Sequence, residues 1–504
     1  MSGTGPQRAD EASHDVVPLS GATLGALPQA VDRPGYDRAG LSRGILHIGL
    51  GNFHRAHQAV YLDRLFATGQ DHDWAIVGAS LRDNDRTVRD DLKAQDWLTT
   101  VVELDPQGFS ASVTGAMIDY AEIEPSAVIE AMIDPTIRIV SLTITEGGYY
   151  VDARTGGFDR EHADIRHDAQ SPDEPRTVFG CILAALRRRR GAGTAPFTVM
   201  SCDNLPENGH VARNAVVGLA REQDAVLAEW IERSVAFPNS MVDCITPATS
   251  QREIDMVAER FGISDRRPVA CEPFRQWVME DRFPAGRPAL ETVGVEFVDD
   301  VAPYELMKLR ILNGGHATIA YPAGLLDIHF VHEAMEHPLV AGFLDRLERN
   351  EIIPTVPPIP GVSFEDYHAK VVERFSNPAI GDTVARLCFD GSNRQPKFIL
   401  PTIEDRIRAG QGIAGLALES ALWCRYCFGT TETGQAIAPN DPDWDRLNAH
   451  ARRAKDDPDA WLEMRDIYGV LADEPRFREA FGDALRRVWN DGTEATLRAY
   501  VSTA

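Results

Sequence analysis

The stretch Tyr304-Glu-Leu-Met-Lys-Leu-Arg-Ile-Leu-Asn-Gly-Gly-His316 holds the densest set of chemically capable side chains in the sequence. Lys308, Asn313 and His316 interrupt an apolar, helix-like pattern, and Glu305 stands three residues ahead of the lysine. A lysine has a free pKa near 10.4, and burial can bring it to about 7–8, where its neutral amine can act as a general base. Asparagine amides can donate to an oxygen that gains negative charge. At about 100° per residue, Glu305 lies roughly 60° from Lys308, His316 roughly 80° and Asn313 roughly 140°. The four therefore do not share one stripe of a regular α-helix. Gly314 and Gly315 are where the helix is expected to bend or end.

A second set of signals suits a dinucleotide. Gly49 and Gly51 form a G-x-G between an apolar strand, residues 45–51, and a helix-like run, residues 58–66. Glycines there permit a tight turn and let backbone N–H groups approach a pyrophosphate. The third glycine of the usual pattern is missing, and position 54 is His. After the next strand, residues 75–81, comes Arg82-Asp83-Asn84-Asp85-Arg86. Asp85 or Asp83 can accept ribose hydroxyls and select NAD, whereas Arg82 or Arg86 can neutralise a 2′-phosphate, so NADP stays open. Two polar loops, 201–209 and 237–247, follow buried-looking strands. They stand either as ligand loops at strand carboxyl ends or as helix caps. Tyr304 and Lys308 also fit Y-x-x-x-K, the pair of short-chain dehydrogenases. Here, however, the pair lies some 250 residues beyond the glycines, whose spacing is not G-x-x-x-G-x-G.

These groups need a sheet to hold them. Continuous apolar runs at 45–51, 75–81, 138–145 and 197–202 predict a parallel sheet buried on both faces, and residues 293–298 predict its last strand. Beyond residue 300 the pattern turns helical, at 303–312, 332–350, 414–426, 443–455 and 477–488. The expected fold is an α/β Rossmann-type dinucleotide-binding domain, residues 41–300, followed by a mostly α-helical domain, residues 301–504. An N-terminal arm, residues 1–40, is expected to be loose with some ordered segments.

Composition narrows the ligand. The chain has 504 residues and a net charge of −25, a field that repels nucleic acid and anionic membranes. A small or neutral ligand is expected, with no nucleic-acid and no membrane partner. There is no signal-like start and no run of about 18 apolar residues. Seven scattered cysteines fit reduced thiols in a cytoplasmic protein. Cys424 and Cys427 read as core residues of an apolar helix. No Cys/His/Glu set has convincing zinc spacing, so no metal is expected.

Gly49-Leu-Gly-Asn-Phe-His-Arg-Ala-His-Gln58, Ser141-Leu-Thr-Ile-Thr-Glu-Gly-Gly-Tyr149, Ser201-Cys-Asp-Asn-Leu-Pro206, Lys308-x4-Asn313-x2-His316 and Arg386-Leu-Cys-Phe-Asp-Gly-Ser-Asn-Arg-Gln-Pro-Lys397 together resemble the polyol-specific long-chain dehydrogenases. The resemblance runs from about residue 40 to past 400. It implies a metal-independent exchange of a polyol and a ketose, D-mannitol and D-fructose, with NAD. It implies Lys308 as base, Asn204 and Asn313 as holders of the substrate oxygen, and Glu305 as a proton relay. It carries Asp243, His316 and Arg386 over as substrate contacts, and Gly49, Gly51, Asn52, Phe53, Arg55 and Asp85 as cofactor contacts. A monomer or weak oligomer is implied. Val242-Asp-Cys-Ile245 departs from the family's V-D-R-[IV], because Cys244 replaces an arginine. Arabinitol, sorbitol or a hexuronate are alternative substrates, and Arg386, Arg394 and Lys397 are the candidate partners for a carboxylate. A dinucleotide-binding sensor without turnover is the reading from another class.

Overall fold

The computed structural model describes residues 16–152 and 155–502, and the chain divides into two compact units, Met1–Val301 and Ala302–Ala504.

The first unit is organised by five strands: β1 (Arg43–Ile48), β2 (Ala75–Ala79), β3 (Met117–Tyr120), β4 (Ile139–Leu142) and β5 (Thr198–Ser201). They lie in the order β3-β2-β1-β4-β5, and every neighbouring pair is parallel. This is the Rossmann-type order, whose switch point falls between β1 and β4. Alternate residues serve opposite faces. Leu46, Ile48, Val77, Val140 and Leu142 join a core with Phe179, Ile182 and Leu186 of the helix Val178–Ala192. Ile45, Ile76 and Ile139 join another with Leu62, Leu65 and Phe66. Each such buried side chain contributes about 1.5–3 kcal/mol, so strands apolar on both faces are stable only between helical layers.

After β1 the chain makes two short helices, α1 (Asn52–Ala56) and α2 (Gln58–Ala67), broken at His57. A three-stranded sheet joins β6 (Ser240–Asp243), β7 (Gln276–Glu280) and β8 (Glu296–Val298) in the order β6-β7-β8. The last strand is thus shorter than expected and lies outside the five-stranded sheet. Residues 290–293 form a 3₁₀ turn instead. Within 16–40, Val17–Pro18 pairs with Ile263–Ser264, and Val31–Asp32 pairs with residues 111–112.

The second unit is helical. It begins with α3 (Ala302–Met307), passes into a π-helical turn, Lys308–Asn313, and continues as α4 (Gly314–Leu325). The helix therefore neither ends nor breaks at Gly314 and Gly315. Gly315 is small for packing: an added Cβ would stand 2.4 Å from Glu348 Oε1. The expected helix 332–350 is divided, Val331–Glu336 and Pro338–Leu347, with Pro338 starting the second piece. Helix Ala414–Cys427 is buried almost throughout and includes both Cys424 and Cys427. No helix among the described residues is long and apolar enough to cross a membrane.

Candidate functional site

Gly49 closes β1 with φ 100°, and a Cβ there would fall 2.0 Å from the backbone oxygen of Thr143. Only glycine lets the β1 and β4 ends approach so closely. Gly51 is different. An added Cβ would meet nothing nearer than the Gly49 oxygen at 4.0 Å. The space before this turn is open, as a backbone that receives a pyrophosphate requires. Thr143 Oγ1 donates to the Gly49 oxygen at 2.5 Å.

Beneath the turn lies a polar layer that the sequence did not reveal. His47 is fully buried, with Nδ1 2.8 Å from Ser141 Oγ and Nε2 3.0 Å from Thr143 Oγ1. Burial pushes its pKa down to about 3, so the ring is neutral. His54, in the place of the missing third glycine, stacks on His47 with ring centroids 3.4 Å apart. The Asn52 amide donates to the Pro247 oxygen at 3.2 Å and to Thr249 Oγ1 at 2.9 Å. Arg55 is buried and donates to Asn52 Oδ1 at 2.7 Å and to the Arg267 oxygen. Both side chains, read from the resemblance as cofactor contacts, are turned into the protein and brace the glycine turn. Phe53 is half-buried and stacks on His57 at 4.8 Å.

Asp85 ends a 3₁₀ turn just past β2 and accepts a hydrogen bond from Ser80 Oγ. Ser80 Oγ also takes the Arg82 N–H at 3.0 Å, which fixes the loop. Arg86 is engaged by Asp83 and Glu124, each at 3.1 Å. Of the two arginines offered for a 2′-phosphate, this one is already neutralised. Arg82 is exposed.

Asn204 follows β5 and is exposed, whereas its neighbour Asp203 is buried. Asp203 accepts the N–H groups of Ile144 and Thr145, both at 2.9 Å, and the Tyr149 hydroxyl at 2.6 Å. Asn208 donates to the Asp203 oxygen at 3.0 Å and to the Ser240 oxygen at 2.7 Å. The loops after β4 and β5 and the first residue of β6 are thereby fastened together at the carboxyl edge of the sheet. Asp243 is buried at the end of β6.

In the second unit the π-turn resolves the angular conflict. An i→i+5 turn advances roughly 80° per residue instead of 100°. Asn313 therefore comes to roughly 40–50° from Lys308, and three further α-helical steps bring His316 within roughly 20° of it. Lys308, Asn313 and His316 share one face, with Glu305 about 60° away. Lys308 is 8 % exposed, while Glu305, Asn313 and His316 are half-buried. His316 stacks on Phe375 at 4.2 Å, and burial together with the Arg386 charge takes its pKa down to about 3. Its Nε2 is buried and has no hydrogen-bond partner among the described residues. Arg386 is held by Asp382, with Nε 2.5 Å from Oδ1.

Behind this face stands a buried pair. Glu348 accepts from His368 Nδ1, and His368 Nε2 lies 3.1 Å from Asp345 Oδ1. Burial raises the Glu348 pKa to about 7. Among the described residues no three His, Cys, Asp or Glu side chains are grouped to hold a metal ion.

The "Mannitol dehydrogenase Rossmann domain" family matches residues 43–292, and the "Mannitol dehydrogenase C-terminal domain" family matches residues 300–489. The chain belongs to the mannitol dehydrogenase family. Mannitol 2-dehydrogenase of Cereibacter sphaeroides is 60 % identical over 478 residues, covering 94 % of this chain and 100 % of that protein. The structure of Pseudomonas fluorescens mannitol 2-dehydrogenase in ternary complex with NAD and D-mannitol is 42 % identical, with a TM-score of 0.85 over 97 % of this chain and 100 % of that one. A substrate-free D-sorbitol dehydrogenase is 37 % identical, with a TM-score of 0.88 over 95 % of this chain and 100 % of that one.

Proposed function

We propose that this protein is an NAD-dependent mannitol 2-dehydrogenase that interconverts D-mannitol and D-fructose without a metal. The observation that carries this reading is the gathering of Lys308, Asn313 and His316 on one face by the π-turn. The glycine turn suits NAD, with the Gly51 backbone facing the pyrophosphate and Asp85 receiving the adenosine ribose hydroxyls. NAD held there would supply the hydride acceptor for the substrate's C2.

Lys308 Nζ, in its neutral form, takes the proton of the C2 hydroxyl as the carbonyl forms. The amides of Asn204 and Asn313 donate to the oxygen while it carries negative charge, and removing one such donor costs about 10²–10³ in turnover. Glu305 passes the proton from Lys308 onward. Asp243, His316 and Arg386 hold the remaining hydroxyls. A neutral His316 both accepts and donates hydrogen bonds, which suits a hydroxyl partner.

D-Sorbitol is the second reading, favoured by the likeness to the sorbitol dehydrogenase fold. Mannitol and sorbitol are C2 epimers, so oxidation at C2 of either gives fructose. The polyol, not the ketose, distinguishes them. Absorbance of NADH should be followed with mannitol, sorbitol, arabinitol and a hexonate, with NAD and with NADP. The expected result is the highest kcat/KM for mannitol with NAD, retained after exhaustive chelation. A sorbitol preference supports the second reading, and binding of NAD without turnover on any polyol supports a sensor. Activity lost to a chelator and restored by zinc overturns the metal-independent mechanism.

A further inference from the structure

Cys244, the departure from the family pattern, is not isolated. It follows β6 directly, and Cys271 ends the strand Val269–Cys271. Both belong to one small apolar cluster with Ala56, Val60, Val101 and Val269. The backbones beside them are joined, the Glu272 N–H donating to the Ile245 oxygen at 3.0 Å, which sets the two thiols side by side. Arg275 Nη2 donates to Cys271 Sγ at 3.1 Å, so a guanidinium lies beside the sulfurs although position 244 itself carries no charge. The same guanidinium donates to Glu103 Oε1 at 2.5 Å and, through Nε, to the Ala56 oxygen at 2.7 Å. We propose that Cys244 and Cys271 are a redox-responsive dithiol, which closes to a disulfide when a peroxide reaches it.

The geometry separates this pair from the other five cysteines. The Cys244 S–H donated to Cys271, and then the Arg275 charge, hold the Cys271 thiol below its ordinary range. That hydrogen bond and burial hold Cys244 above it. Burial raises Cys181, Cys202, Cys388, Cys424 and Cys427. Cys244 also keeps 7 % of its surface, against at most 3 % for every other cysteine, so it is the more accessible member of the pair. Reactive thiols need an electropositive setting of this kind.

The chemistry balances. The Cys271 thiolate attacks one peroxide oxygen, breaking the O–O bond and forming a sulfenic acid. The departing hydroxide takes the Cys244 proton and leaves as water. The Cys244 thiolate then attacks the Cys271 sulfur, expelling hydroxide that is protonated to a second water. Two thiols lose two electrons, and one peroxide gains them. Arg275 then loses one of its two anionic partners and keeps Glu103. Because Arg275 also holds the end of α1, the helix after Gly51, closure loosens the glycine turn. This last consequence rests on the NAD-binding function proposed above.

The full-length protein should be treated with hydrogen peroxide, alkylated and mapped by mass spectrometry. The expected result is a Cys244–Cys271 linked peptide and the loss of two hydrogens, reversed by a reductant. A Cys424→Ser/Cys427→Ser variant should behave identically. Cys244→Ser should stop at a Cys271 sulfenic acid that dimedone traps. Absence of the linked peptide, or a link confined to Cys424 and Cys427, overturns the proposal. NADH titration of both forms should show several-fold weaker binding after oxidation, and equal affinities would sever the link to the glycine turn. Failure of the reduced protein to bind NADH counts against the proposed function and leaves the disulfide result standing.

Discussion

Asp203 holds Thr145 in the left-handed region: its Oδ1 accepts the Thr145 N–H at 2.9 Å while the threonine sits at φ 66°, ψ 161°. A β-branched residue resists that backbone, at a cost of about 1–3 kcal/mol. The carboxylate offsets the strain and anchors the loop that carries Asn204, the next residue. Asp203→Ala leaves two backbone N–H groups and the Tyr149 hydroxyl without their acceptor. The expected loss is about 3 kcal/mol of stability, with at least about a tenfold fall in kcat/KM through misplacement of Asn204. Urea midpoints and steady-state rates check this. A variant within about 0.5 kcal/mol of the parent means the loop holds itself.

Lys308→Ala should lower kcat by at least about 10²-fold while NADH still binds. The rival base is His316, but a ring whose pKa lies near 3 has little affinity for the proton of an alcohol. His316→Ala should therefore act mainly on KM. Tyr304→Phe tests the remaining rival. A small added amine should partly restore Lys308→Ala. If the lysine variant keeps more than about a tenth of turnover while either other variant is dead, the base is elsewhere.

Asp85→Ala should narrow the preference for NAD over NADP by raising KM for NAD, with kcat little changed. Arg86 cannot readily turn to a 2′-phosphate while Asp83 and Glu124 hold it. The ratio of kcat/KM for the two cofactors is the measurement. A parent enzyme that favours NADP would move the assignment to Arg82.

The Glu348–His368 pair makes the second unit sensitive to pH. Folding raises the Glu348 pKa from 4.5 to about 7 through burial. Burial opposes charge on His368, but its hydrogen bond to Glu348 outweighs this and raises it above 6.5. Both groups bind protons more tightly folded than unfolded. Their contribution is full at pH values below the unfolded pKa values and is lost as pH rises through about 7. Thermal stability should thus fall between about pH 5 and pH 8, and Glu348→Gln should flatten that fall. An unchanged slope in the variant would assign the dependence to other groups. Gly315→Ala, which drives a methyl against the same carboxylate, should be far more disruptive than an ordinary glycine substitution in a helix.

Strands β1, β2, β4 and β5 were legible because strands buried on both faces are apolar at most positions. Gly49 was legible for a similar reason, since a positive φ at a close approach leaves one residue type. Asp203 was not, although it stands beside Asn204 in the same motif, because its partners lie some 55–60 residues earlier in another loop. Asn52 and Arg55 occupy motif positions, but only three dimensions reveal that they face Pro247, Thr249 and Arg267. Glu348 and His368 lie on separate helical segments, and nothing in either segment announces the other. The angular misfit among Lys308, Asn313 and His316 was the one visible sign that the helix is not regular.

A π-turn stores one residue more than an α-turn of the same height. Rewinding the segment as plain α-helix at its present length would remove no reactive side chain, yet it would carry His316 and everything after it through about a quarter of a revolution relative to the lysine. Deleting one aliphatic residue between Lys308 and Asn313 would instead leave four α-helical steps to the asparagine and seven to the histidine, roughly 40° and 20° from the lysine, which is where the π-turn already places them. The winding of this segment is therefore as binding a constraint as its letters. A full-length variant whose helix runs regular through these residues should be as inert as one that lacks the base, whereas a variant one aliphatic residue shorter should keep all three side chains on one face.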